Sequence, residues 1–164
     1  TFLSPESDPL GAGYHALQSF IALGSGGISG KGFLKGTQSH LSFLPEIQTD
    51  FIFTMYAEEF GLIGGLLLIA LYATVIAYTF AIAMRSRNHF GRLVAMGIAT
   101  MFFLYVFINI AMVTGLTPVV GVPLPLISYG GTVMMTVLIG FGLVMNVYIH
   151  RDMRIGRHGE VSNT

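Results

Sequence analysis

Four carboxylates crowd the stretch LPEIQTDFIFTMYAEEFG (44–61): Glu46, Asp50, Glu58 and Glu59. Their spacing suits acid–base work. If a helix opens near Pro45, Glu46 and Asp50 are four residues apart and share a face, and Glu58 drifts only modestly from it two turns later. Acids in a first helical turn also favour the helix dipole, which by itself accounts for a solvated Glu58 and Glu59. Asp50 differs because Thr49, Phe51, Ile52 and Phe53 flank it. A carboxylate against apolar neighbours holds its proton more tightly, as a general base working near neutral pH requires.

The cations before the acids are Lys31 and Lys35, set in GSGGISGKGFLKG (24–36). Amides in glycine turns form anion-binding concavities and a lysine adds a point charge, so the loop suits a phosphate. It matches neither a Walker motif nor a dinucleotide fingerprint. Its glycine density predicts an irregular loop with positive backbone dihedrals rather than a regular helix. A third unusual stretch is GLTPVVGVPLPLISYGG (115–131), where Pro118, Pro123 and Pro125 remove backbone donors and disfavour helix. A non-helical apolar segment at membrane depth is tolerated where it packs in protein or lines a cavity, so a re-entrant, cavity-lining role is expected, with Ser128, Tyr129 and Gly130 beside that cavity. Asn109 reads as an interhelical hydrogen-bonding residue. Gly61, Gly64 and Gly65 read as sites of close helix approach, and Met134, Met135 and Met145 as packing residues. The five histidines show no metal-ligand spacing.

What must position these residues is a membrane protein. Of 164 residues 53% are hydrophobic and only 10% charged, against about 25% charged in soluble domains. Without cysteine there is no disulfide framework and no thiolate metal site. Three uncharged runs are long enough to span as helices: 60–84, 93–115 and 131–150. The chain opens on Thr1 with no basic-then-apolar leader, so it is expected to be the C-terminal part of a longer protein. All six arginines fall in 85–92 and 151–157. Positively charged loops stay cytoplasmic, which predicts a cytoplasmic connector 85–92 and tail 151–164. Residues 1–59, with short membrane-proximal helices, and the segment 116–130 are then extracytoplasmic. The carboxylates lie at the outer face.

The stretches GYHALQSFIALGSGGISGKGFLKGTQSHLSFLPEIQTDFIF, AEEFGLIGG and GLTPVVGVPLPLISYGG together resemble the shape, elongation, division and sporulation (SEDS) family of peptidoglycan polymerases over about residues 11–155. The segment ending in SYGG is specific to that family, and GTQS is similar to its elongation member. The resemblance implies an all-α, polytopic, ten-helix membrane fold, of which this chain supplies the last three helices and a large outer loop. It implies a glycosyltransferase that joins lipid II into undecaprenyl-pyrophosphate-linked glycan strands at the outer face of the bacterial cytoplasmic membrane, during cell elongation. The family's essential acid, in its TDF motif, falls on Asp50. Under this reading Asp50 is the base, Lys31 and Lys35 meet the pyrophosphate, and Glu46 and Glu58 orient Asp50 or, Glu58 with Asp50, hold a magnesium or manganese ion. Gln38, Ser39, Thr49, Pro123, Ser128, Tyr129 and Gly130 join the substrate site. The position before Thr49 is commonly His in the family and is Gln48 here, which cannot titrate. The implied partner is a class B penicillin-binding protein, a transpeptidase. Nucleic acid is not expected.

Two other classes use the same features. A flippase for a lipid-linked precursor also needs broken membrane segments and carboxylates. A scaffold for a cell-wall synthase needs only the partner surface. Loss of activity without loss of partner binding in Asp50→Asn separates polymerase from scaffold.

Overall fold

The computed structural model describes residue 19, residues 21–32 and 49–151, and the tail strands 154–155 and 161–162. Three long helices carry the fold: α1, Ile52–Arg85; α2, His89–Val113; and α3, Gly131–Ile149. Each is long and apolar enough to cross a membrane. They are apolar around most of their circumference, and large side chains such as Leu66, Leu67, Phe107 and Ile139 are exposed, as lipid-facing helices require. In the tail, β1 (Arg154–Ile155) pairs antiparallel with β2 (Val161–Ser162), the one departure from helix among the described elements.

The chain divides into two compact units, one of residues 1–71 and 105–130, the other of 72–104 and 131–164. In the second, Ile82, Ala83, Ala95 and Val144 form the core, and Phe102 packs tilted against Tyr72 and edge-on against Phe141. The small Ala83 and Ala95 are wholly buried, so the α1 and α2 backbones approach closely there. The turn between them is shorter than the sequence predicts, because Asn88 caps α2 by accepting from the Phe90 amide. Arg92 fastens that turn by donating to the Ser86 carbonyl at 3.1 Å.

The first unit holds the larger departure from expectation. Helix α1 begins at Ile52, eight residues before the predicted span, and breaks at Gly61, whose φ of 68° and ψ of −165° are not helical. The break is filled by the loop that precedes it in sequence. Lys31 and Gly32 amides donate to the Glu58 and Glu59 carbonyls at 3.1 and 3.0 Å, while the Leu62 and Ile63 amides donate to Gly27 and Ile28 at 3.0 and 3.3 Å. Four backbone groups that the break would strand are thereby satisfied. Left in an apolar setting each would cost about 1–3 kcal/mol, together comparable with the whole stability of a typical domain.

Glycines make this approach possible. A Cβ on Gly61 would stand 2.3 Å from the Gly30 nitrogen, and one on Gly30 would stand 2.1 Å from the Glu59 carbonyl oxygen. Gly61 is therefore a helix breaker and not merely a site of close approach. The run from Gly24 is also not wholly irregular. Helix continues over 21–26, and Gly26 lies against the Ala57 carbonyl, before Gly27, Gly30 and Gly32 take positive φ.

Candidate functional site

Asp50 sits in the turn that leads into α1, 7% exposed. Phe51 and Phe53 are buried beside it, and Thr54 and Glu58 follow at one-turn intervals, both buried. The carboxylate faces the Pro/Gly segment: the position of an ideal Cβ on Gly121, where φ is +73°, lies 3.1 Å from Asp50 Oδ2. That segment has no helix over 116–130, as its prolines predict.

Two side chains tie this segment to the backbone around Asp50. Ser128 Oγ accepts from the Leu124 amide at 2.7 Å and donates to the Thr49 carbonyl. Asn109, in the last turns of α2, donates through Nδ2 to the Asp50 carbonyl at 2.9 Å and to the Val122 carbonyl at 2.6 Å. Asn109 thus joins its helix to two irregular segments, where the sequence suggested a helix-to-helix bond. Leu126 holds φ at +69°, a conformation that costs a non-glycine residue energy and that concentrates at functional sites.

Of the residues singled out in sequence, Thr49, Asp50 and Ser128 come together. Pro123 is half-buried in the same segment, and Gly130 has no atom near its missing Cβ. Tyr129 is 79% exposed. Lys31 stands elsewhere in its unit's bonding: its ammonium lies 2.7 Å from Glu58 Oε1, and Ser25 Oγ donates to the same oxygen at 3.4 Å. Lys35, Gln38, Ser39 and Glu46 lie outside the described residues, as does Gln48. The residues that sequence reasoning missed are Gly121, indistinguishable in sequence from any other glycine of a Pro/Gly run, and Leu124, whose contribution is only a backbone amide.

A cation held by Asp50 and Glu58 would share Glu58 with the Lys31 ammonium, and no three His, Cys, Asp or Glu side chains gather among the described residues. The chemistry the site itself offers is proton transfer by one buried carboxylate at the edge of a non-helical segment.

Spanning helices, a break sealed by a glycine loop and a carboxylate walled by a Pro/Gly segment define a multi-pass membrane protein with a site built from irregular backbone. The chain belongs to the FtsW/RodA/SpoVE family of cell cycle proteins, whose model matches residues 1–153. It is 58% identical over 151 residues to the peptidoglycan glycosyltransferase MrdB of Escherichia coli K12, covering 92% of this chain and 41% of that protein. Among solved structures it resembles a chain of a peptidoglycan synthase complex described as coordinating polymerization and crosslinking, with TM-score 0.71 and 33% identity over 91% of this chain and 40% of that one. It also resembles a mutant of the rod shape determining protein RodA of Thermus thermophilus, with TM-score 0.63 and 35% identity over 80% of this chain and 40% of that one. The chain spans about two fifths of the length of the curated relative it matches.

Proposed function

We propose that the protein carrying this chain is a peptidoglycan glycosyltransferase that polymerises lipid II in the bacterial cytoplasmic membrane, with Asp50 as its general base on the extracytoplasmic side. The observation that carries the reading is a carboxylate 7% exposed, set against the Pro/Gly segment at Gly121. The naming of the E. coli relative as a peptidoglycan glycosyltransferase supports it.

In the reaction, the acceptor sugar hydroxyl loses its proton to Asp50 as its oxygen bonds to the anomeric carbon of the donor. The bond from that carbon to the lipid-linked pyrophosphate breaks, and the pyrophosphate leaves with the electron pair. An unperturbed aspartate, with a pKa of about 3.9, is a weak base at neutral pH, and burial among Phe51 and Phe53 is the feature that suits Asp50 to the task. Lys31 pairs with Glu58 at 2.7 Å while its side chain keeps 29% exposure, and Lys31, Lys35 and backbone amides are the groups proposed to meet the pyrophosphate. The synthase complex found among the structural neighbours supports a transpeptidase partner, a class B penicillin-binding protein.

The test uses the full-length protein with its transpeptidase, lipid II in detergent, and magnesium or manganese present. Wild type forms glycan strands and Asp50→Asn does not. Equal strand formation by both removes Asp50 from the chemistry. Lipid II crossing vesicle membranes with no strands from either protein replaces the polymerase by a flippase.

A further inference from the structure

Asn109 is 0% exposed within the apolar C-terminal half of α2, where a primary amide is costly unless its hydrogens are bonded. Both Nδ2 hydrogens go to backbone carbonyls, and each carbonyl belongs to a segment that bears on one carboxylate. The first belongs to Asp50 itself. The second belongs to Val122, next to Gly121, whose missing Cβ makes the room Asp50 Oδ2 occupies. One amide therefore fixes the distance between the backbone that carries the carboxylate and the backbone that walls it. Its Oδ1 is buried and accepts nothing among the described residues. The side chain is thus placed for its donors alone, at the expense of its acceptor.

We infer that Asn109 is a positioning residue for the base, setting the Asp50 carboxylate against the Pro/Gly segment; this rests on the reading of Asp50 as that base. No other side chain of this size fits the geometry. Leucine has the volume without donors, an ionised aspartate presents oxygen to two carbonyls, and serine has a single hydrogen to give. A purely interhelical amide would hold helices together and leave a loop carboxylate indifferent to its loss, because such bonds in membranes are individually weak.

The experiment measures lipid II polymerisation by the full-length protein as wild type, Asn109→Leu and Asp50→Asn, with lipid II binding and thermal unfolding recorded for each. Displacing a catalytic group by about 1 Å costs up to ~10²-fold, so Asn109→Leu is expected to lower kcat by roughly 10- to 100-fold and leave KM within about 2-fold. Wild-type kcat in Asn109→Leu, beside an inactive Asp50→Asn, overturns the positioning role and leaves the base in place. Full activity of Asp50→Asn overturns the base and the positioning role together. A fall in kcat matched by an equal fall in lipid II binding sites shows lost folding and overturns the inference. If Asn109→Leu does not fold, Asn109→Ser, with one hydrogen bond donor, takes its place: a loss confined to kcat is expected, and wild-type kcat overturns the proposal.

Discussion

The ammonium of Lys31 stands 2.7 Å from Glu58 Oε1, with the glutamate side chain 1% exposed and the lysine side chain 29%. The pair lies beside the four backbone hydrogen bonds that seal the α1 break at Gly61. Side chains and backbone therefore fasten the same loop to the same half-helix. A loop whose glycines suggest an irregular phosphate-binding turn packs as a wedge over its described residues, and its described lysine is part of the holding.

Removing one member of a buried pair strands the other. Lys31→Met takes the ammonium from the buried Glu58 carboxylate and leaves it the weaker Ser25 hydroxyl, and the expected destabilisation is about 3 kcal/mol, at the low end of the buried-pair range because the lysine is partly solvated. Glu58→Gln is milder, since the ammonium reaches solvent and an amide oxygen still accepts from it. The double variant Lys31→Met, Glu58→Leu recovers part of the loss, because no charge is left buried. Thermal unfolding in detergent ranks the three. A double variant less stable than Lys31→Met contradicts the account.

Gly61→Ala brings a methyl group to 2.3 Å from the Gly30 nitrogen and forces alanine to a φ of 68°. The dihedral strain alone is about 1–3 kcal/mol, and the backbone clash can be relieved only by displacing the loop. Gly65→Ala is the control, since its methyl would meet only Phe53 Cζ at 3.7 Å. Hydrogen exchange over residues 26–32 is expected to speed up in Gly61→Ala and stay unchanged in Gly65→Ala. Equal protection in the two shows that the loop does not depend on the break.

The three apolar helices were legible from sequence because uncharged runs of spanning length have few other folds open to them. So was the non-helical Pro/Gly segment, where missing amide hydrogens forbid a ladder. The break at Gly61 was not legible. FGLIGG reads as continuous span, and what selects Gly61 over Gly64 or Gly65 is contact with Gly30, thirty-one positions earlier. Asp50 stood out by its apolar neighbours, but its wall did not, because Gly121 contributes an absence and Asn109 acts on main-chain carbonyls. Charge and glycine context mark Lys31 in the sequence. Its partnership with Glu58 depends on the loop folding back, which no spacing rule encodes.

Ser128 bridges the Leu124 amide and the Thr49 carbonyl, one residue from Asp50. Ser128→Ala strands both groups, and about 1–2 kcal/mol of stability is expected to go with them. Polymerisation is expected to fall by roughly 10-fold, since Thr49 carries the backbone into the base. Tyr129→Ala changes an exposed side chain, so stability should stay within about 0.5 kcal/mol. If that tyrosine meets substrate, its loss raises KM and spares kcat. Ser128→Ala acting on KM alone would place Ser128 on the substrate and not on the frame.

Orientation decides whether Asp50 faces extracytoplasmic lipid II, and the arginines supply its physical basis. Arg85, Arg87 and Arg92 lie near the turn between α1 and α2, and Arg151 just after α3, while the described residues 72–104 and 131–151 contain no acid. Moving such a cluster across the bilayer is unfavourable, so under the proposed function that end is expected in the cytoplasm. This stretch has no cysteine, so single thiols placed in it report cleanly once any cysteine elsewhere in the full-length protein is replaced by serine. Leu116→Cys, at a site 72% exposed, is expected to react with a membrane-impermeant maleimide in intact spheroplasts. Arg87→Cys, also exposed, is expected to react only after permeabilisation. The reverse pattern would put Asp50 on the cytoplasmic side, where a base for extracytoplasmic polymerisation has no substrate, and would remove the glycosyltransferase reading at its root.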